Sequence, residues 1–281
     1  MDYPNDFSPS LDRVFCAQPK APANSRQFFT RAEWLPTVFV NFRISPEILK
    51  PMIPAGLELE LYQGSGVVSL VTVGMRGFRS SRRSIMGCVT NLIREQRFLN
   101  LRTYVKWRGE PGALFLHGWL SRPLAMPLPS GLLGLPYDFV DSRYRHGLDG
   151  DSIDGEIRNA GASYSYRATV CSSHQFKRCE RNSISDFALE RYAGFFATRG
   201  KTRIFRIWHA PWLQIPIEIN ISDMSLFERR HPWMKAAQMA GACLTQELPE
   251  VWLGTACSLD SDLKHQTKSR HHRLGALFEM P

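Results

Sequence analysis

The stretch that most limits what this chain can become is residues 100–119, NLRTYVKWRGEPGALFLHGW. Aromatic and branched residues flank Gly109-Glu110-Pro111-Gly112, which predicts two strands joined by a tight turn. Along the first strand Asn100, Arg102, Tyr104 and Lys106 face one way, and Leu101, Thr103, Val105 and Trp107 face the other. The second strand closes on His117-Gly118-Trp119, where a glycine lets the backbone bend or a ligand come close. Two readings follow. The polar face lines an interior cleft, or it faces water as the outer side of an amphipathic hairpin.

The flanking chain predicts more of the same. Residues 1–29 are rich in Pro, Ser, Asn and Asp and read as loosely ordered. A strand is expected over 37–43, then a short helix with Ser45 as its cap, Pro46 in its first turn and Glu47 near its positive end. Residues 57–62 and 67–73 read as a second hairpin across Gln63-Gly64-Ser65-Gly66. Residues 120–135 are helical in places, broken by Pro123, Pro127 and Pro129. Strands are expected over 164–170, 203–208, 215–221 and 251–257. Longer helices are expected over 185–198, capped by Ser185, and over 232–244. Residues 261–281 read as a polar, basic tail. Hairpins around a few helices, with no crossover pattern, predict an antiparallel, β-rich α+β fold in one domain over 30–260.

Charge and cysteine usage narrow the function classes. The net charge of +9 is spread along the chain, without the basic clusters and stacking aromatics of a nucleic-acid interface. Arg76, Arg79, Arg82 and Arg83 form the densest cluster and read as a solvated loop. Six cysteines without a CxxC pair fit the reduced thiols of a cytoplasmic protein better than a disulfide scaffold. The N-terminus carries no secretory pattern, and no apolar run reaches the length of a membrane-spanning helix. Nucleotide fingerprints, HxH and HExxH spacings and a GxSxG elbow are all missing, so neither a cofactor nor a metal is expected.

Several segments together resemble one family. WLPTVFVNFRISPEILKPMIPAGLELE, NLRTYVKWRGEPGALFL, GLLGLPYDF, DFALERYAGFFATRGKTRIFRIWHAPW and MSLFERRHPWMKAAQMAG, with VWLG after them, are similar in order and spacing to the YqjF-like family of uncharacterised proteins. The resemblance implies a fold like that of acetoacetate decarboxylase, a barrel-like antiparallel domain with an interior cavity, and no established activity. It directs attention to Arg102, Tyr104, Trp119, Tyr137, Arg191, Tyr192, His209 and Trp212. Family members often carry an acid where this chain has Leu99 or Gly118, and Glu95 is the nearby substitute.

Three chemistries compete for these residues. A Schiff-base lysine, the mechanism for which acetoacetate decarboxylase is the standard example, needs a desolvated neutral amine; Lys106 is the one lysine on the central strand. His117 and His209, each at a strand end beside a tryptophan, suit acid–base transfer with Arg102 clamping a carboxylate. A non-catalytic pocket would be built from Arg102, Tyr104, Trp119, Tyr137, Tyr144 and Trp212 around a small anionic ligand. An inward-facing Arg102 needs either an internal carboxylate, with Glu95 or Glu190 in reach, or a ligand anion. The expected function is binding of a small anionic or carbonyl-bearing molecule in the interior, with or without turnover. The alternative is an interaction module whose basic surface meets an acidic partner, with affinity that modest salt abolishes.

Overall fold

Alternating segments become strands over most of their expected length. The computed structural model describes residues 28–80, 95–121, 137–147, 153–171, 175–198 and 200–259. The strands are β1 (Phe28–Trp34), β2 (Thr37–Ile44), β3 (Glu58–Leu59), β4 (Gly66–Ser80), β5 (Glu95–Trp107), β6 (Glu110–Ser121), β7 (Tyr137–Arg145) and β8 (Ile153–Asn159). They continue as β9 (Ala162–Val170), β10 (Ala193–Thr198), β11 (Lys201–His209), β12 (Gln214–Asp223), β13 (Gln238–Thr245), β14 (Leu248–Gly254) and β15 (Cys257–Ser258). Among the described residues three short α-helices accompany them: α1 (Pro46–Leu49), α2 (Ile184–Leu189) and α3 (Ser225–Arg230). The expected 120–135 segment lies almost wholly outside the described residues. So do Arg82, Arg83, the tail 261–281 and nearly all of 1–29.

Two closed rings of strands share one wall. One runs β6–β7–β8–β9–β12–β13–β2–β4–β5 and returns to β6. The other runs β1–β14–β11–β10–β6–β5–β4 and returns to β1. Strands β4, β5 and β6 belong to both. The first ring is filled by Val38, Val40, Leu70, Leu99, Leu101, Trp119, Tyr164 and Phe227. Against the other face of the shared wall pack Phe39, Val71, Phe196, Phe205, Trp212 and Cys243. This arrangement removes the water-facing reading of the central hairpin: every residue of β5 from Phe98 to Val105 is buried, on both faces.

The central turn lies earlier than its sequence predicts. Trp107 pairs with Glu110 across Arg108 and Gly109, whose φ angles of 52° and 79° are both left-handed. A two-residue turn of that hand matches the twist of the strands it joins. Glu110, Pro111 and Gly112 therefore belong to β6. Gly112 serves a different end, because the Phe195 ring occupies the space its Cβ would need.

The helices are shorter than expected. Ser45 does cap α1, its Oγ accepting from the Glu47 N–H at 3.4 Å. The cap of α2 is Ser183, which accepts from the Asp186 N–H at 3.1 Å, and not Ser185. That helix ends at Leu189, and after the irregular residues 190–192 the rest of the expected 185–198 helix is β10. Gly194 and Phe195 run parallel to Ala113 and Leu114 of β6, so sheet pairing and the burial of Phe195 and Phe196 override the helical spacing of Leu189, Tyr192 and Phe196. The expected 232–244 helix is likewise a 3-10 turn, Pro232–Ala236, followed by β13 along β2. Residues 57–62 do not form a hairpin with 67–73. Tyr62 and Ser65 make one bridge, while β3 extends the edge of β5 beyond β4.

Candidate functional site

Strand β6 has β5 along one edge and a divided neighbour along the other. On that second edge it pairs in parallel with β10 at Ala113 and Leu114, then with β7 from Gly118 onward. Residues 115–117 lie at the fork between them. The pairing with β5 also slips there: Leu101 stands opposite His117 and Arg102 opposite Phe115, so Leu116 bulges. A bulge re-aims side chains and loosens the ladder. Phe115, Leu116 and His117 are accordingly partly exposed, between fully buried neighbours on either side.

A cleft of about 190 Å³ opens at this fork, lined by residues 114–118 of β6, Asn100, Tyr137, Ala197, His231, Met52 and Pro54. That is smaller than the roughly 300–1,000 Å³ that hosts drug-sized molecules, and suits a metabolite of few heavy atoms. Its walls are mostly apolar, with a few convergent polar groups. His117 Nε2 lies 3.0 Å from Asp138 Oδ2, and Arg230 Nη1 lies 3.4 Å from the same oxygen. The His117 ring rests on Trp119, with centroids 4.3 Å apart, and faces His231 at 5.5 Å. Burial draws the His117 pKa below its ordinary value, against the opposing pull of the Asp138 hydrogen bond. His231 is drawn down to about 4 by burial, with His117 and Arg230 adding to the shift. At neutral pH both imidazoles are therefore uncharged. His117 donates its Nε2–H to Asp138 and keeps its lone pair on Nδ1.

Two polar atoms of the cleft residues lack a partner. Asn100 Oδ1 and His231 Nε2 are buried without a hydrogen bond. A buried polar atom left unpaired costs about 1–3 kcal/mol, which makes such atoms the natural contacts for a bound molecule. Gly118 keeps the site open in a specific way. The Tyr137 ring fills the space that any Cβ there would take, so an acidic residue at this position would displace the ring.

One pleat along β5 from Asn100 lies Arg102, whose cross-strand neighbour Phe115 is part of the cleft wall. Its side chain is buried, with 9% of the residue exposed. Nη2 donates to the Ala188 carbonyl at 2.9 Å, and the guanidinium carbon sits 4.9 Å from the Phe39 ring centroid and 5.6 Å from that of Tyr104. Nε has no partner. Of the two alternatives for Arg102, an internal carboxylate is not found among the described residues. Glu95 pairs with Arg97 at the start of β5, and Glu190 accepts from the Tyr192 hydroxyl and the Trp212 N–H. The buried pair in this region belongs to Arg191, which meets Glu60 at 2.5 Å and donates twice to the Phe187 carbonyl. Beside Arg102 a polar row crosses three strands: Ser69 donates to Asn41 Oδ1, and its oxygen shares a 2.6 Å hydrogen bond with the Tyr104 hydroxyl.

The other expected site residues disperse. Trp119 backs His117, and Tyr137 walls the cleft. Tyr104 belongs to the Arg102 row. His209 stacks on Tyr192 at 4.7 Å and tilts against Trp212 at 5.2 Å, and its Nδ1 donates to the Ala210 carbonyl. Burial pulls it to about 4, so it is a neutral packing residue in different surroundings from His117. Trp212 is buried in the same aromatic cluster. Tyr144 stacks on His146 at 5.4 Å and donates to the Phe98 carbonyl, in a network where His146 bridges Pro36 and Tyr166. Lys106 is 43% exposed and lies 3.7 Å from Glu60. It lacks the desolvation that a Schiff-base lysine requires.

Asp138 and His231 are not among the expected site residues, and Asn100 is expected there only as a member of the polar face of the hairpin. The first two stand inside conspicuous segments, GLPYDF and ERRHPW, and Asn100 leads the polar face of β5. Only the fork brings them together. Among the described residues no group of three His, Cys, Asp or Glu is gathered to hold a metal ion, and no helix is long and apolar enough to cross a membrane. Among the described residues Cys243 is buried, Cys179 and Cys257 are partly covered, and Cys171 is exposed, all four as free thiols.

Comparison with known proteins gives a consistent picture. The model of the DUF2071 family, uncharacterized conserved proteins, matches residues 31–240. The uncharacterized protein YqjF of Bacillus subtilis (strain 168) is 28% identical over 194 residues, 68% of this chain and 77% of that protein. Among solved structures, the enduracididine biosynthesis enzyme MppR complexed with pyruvate superposes with a TM-score of 0.56 at 13% identity, covering 92% of this chain and 97% of that one. An acetoacetate decarboxylase-like enzyme from Sphingomonas wittichii RW1 gives 0.55 at 14% identity, over 85% and 96%. At such identities the likeness shows the fold alone: acetoacetate decarboxylase-like, as the sequence resemblance implied.

Proposed function

Starting from the DUF2071 family of uncharacterized conserved proteins, to which this chain belongs, we propose that it binds a small carbonyl- or carboxylate-bearing molecule in the cleft at the β6 fork. The observation that carries this reading is the pair of buried, partnerless atoms among the cleft residues, Asn100 Oδ1 and His231 Nε2. A ligand hydroxyl would satisfy the first, and a carbonyl oxygen accepting from Nε2–H would satisfy the second. Arg102 lies behind the cleft wall at Phe115 rather than in it, and its positive charge biases those surroundings toward an anion. A buried guanidinium without a carboxylate carries an uncompensated desolvation cost that a bound carboxylate would offset. A structural relative complexed with pyruvate fits the same ligand size.

The basic-surface reading has less behind it. Arg31, Arg76, Arg97 and Arg145 each meet a neighbouring carboxylate rather than standing as open contacts for an acidic partner.

Native and denaturing mass spectrometry of freshly purified protein tests the proposal, with Asn100→Leu in parallel. The expected result is a small acid or carbonyl compound retained by the wild type and lost from the variant. An empty wild type that is also not stabilised by any of a panel of 2-oxo and 2-hydroxy acids would refute it.

A further inference from the structure

The cleft holds more than a binding site needs. His117 is oriented by a carboxylate, Asp138, which is itself held by Arg230, and the imidazole meets a second, uncharged imidazole edge to face in the cleft wall. Asp138 accepts the Nε2–H of His117 and thereby fixes its tautomer, leaving an unbonded lone pair on Nδ1. A ligand-sized space with an oriented base, a neutral donor and a free acceptor is the arrangement that proton transfer at carbon requires.

We propose that His117 is the general base of a proton-abstraction centre acting on a small α-hydroxycarbonyl compound, with His231 as oxyanion donor and Asp138 as the positioning residue. This rests on the ligand-binding reading of the cleft and assigns its chemistry. The substrate class follows from the two partnerless atoms. Asn100 Oδ1 accepts only, so the ligand brings a hydroxyl to it. His231 Nε2 then donates to the ligand's carbonyl oxygen. In the step, the C–H bond of the hydroxyl-bearing carbon breaks and its proton passes to His117 Nδ1. The electron pair left behind becomes the C=C bond of an enediolate. The carbonyl oxygen gains the negative charge and is held by His231 Nε2–H. The imidazolium that forms is stabilised by the Asp138 carboxylate. Return of a proton from His117 to the same carbon completes the step, so no oxidant, reductant or co-reactant is needed.

Lysine chemistry supplies no equivalent here. Lys106 is half-exposed beside Glu60 and is not among the cleft residues, so the exchange reaction does not pass through it.

The test is deuterium exchange at carbon. Hydroxypyruvate and dihydroxyacetone, one anionic and one neutral, are incubated with the protein in buffered D2O near neutrality. Loss of the CH2 signal is followed by proton NMR, and binding is read in the same samples from ligand line-broadening. The expected result is exchange of a bound probe well above the buffer rate, falling by about 100-fold or more in His117→Gln. In Asp138→Asn the exchange drops while line-broadening persists, and Asp138→Glu recovers part of the rate. A merely structural aspartate would not separate binding from exchange in that way. Lys106→Met leaves the rate unchanged. Binding without exchange above buffer, or exchange that survives His117→Gln, overturns the proton-transfer proposal and leaves the binding site standing. Absence of binding by either probe, with the mass-spectrometric result also empty, overturns the binding reading beneath it.

Discussion

Two buried arginines beside Tyr104 should respond differently to the same substitution. Arg191 is 7% exposed and is tied to Glu60, a carboxylate with 15% of its side chain exposed. Arg191→Met strands that carboxylate and the Phe187 carbonyl. Breaking a buried pair by removing one partner costs about 3–5 kcal/mol. Lys106, 3.7 Å from Glu60, remains as a weaker partner, which places the loss near the lower end, about 3 kcal/mol. Arg102→Met removes one charge-assisted hydrogen bond, roughly 1.5–3 kcal/mol, and contacts over Phe39 and Tyr104 worth about 2 kcal/mol. It also relieves the desolvation of an unpaired cation, several kcal/mol in the other direction. The net change for ligand-free protein is therefore within about 1 kcal/mol of zero. Urea unfolding of both variants, stripped of ligand and compared at a common m-value, measures the difference. At roughly 2–4 °C per kcal/mol, the Arg191 variant should also melt about 6–12 °C lower than wild type. If Arg102→Met loses as much as Arg191→Met, Arg102 is a structural residue and its anion role is wrong.

The remaining predictions concern packing, titration and capping. Gly118→Ala pushes a methyl group into the Tyr137 ring, which costs about 1–3 kcal/mol and abolishes ligand retention as the ring moves into the cleft; a thermal melt and native mass spectrometry read the two effects separately. His146 and His209 are each held neutral by burial, with pKa values of about 4. Their contribution is complete above the unfolded value near 6.5 and is lost as pH falls toward 4, on the order of 3 kcal/mol each. Urea midpoints should therefore decline across that window, and less steeply in His209→Gln; an unchanged slope would contradict the assignment. Ser183→Ala removes the cap of α2 and costs about 1 kcal/mol in the same assay.

Misreadings of the sequence share a cause. Leu189, Tyr192 and Phe196 carry helical spacing, yet the segment divides because Phe195 is claimed by Leu114, distant in sequence, while Phe196 pairs with Arg203 across the next hairpin. Ser183 and Ser185 are both acceptable caps locally, and only the docking of α2 chooses between them. The expected binding residues scattered for the same reason. The family pattern points to Arg102, Tyr104, Trp119, Tyr137 and Trp212, and residue type adds Tyr144; neither says which ring a side chain enters.

What the sequence determined by itself is the strand-rich architecture: alternation marks most of the strands, and the motifs place the chain among acetoacetate decarboxylase-like folds. It also marks His117 and Gly118 at the end of the central hairpin. Only the tertiary structure decided that both faces of that hairpin are buried, because a period of two shows alternation and not what covers each side. It also decided where the cleft lies. The fork exists because β7, the next strand in the chain, and β10, three strands later, pair with different stretches of the same edge of β6, and that meeting brings Asp138 and His231 to His117. Ring closure is a property of pairings between residues tens to hundreds of positions apart, which no local pattern encodes.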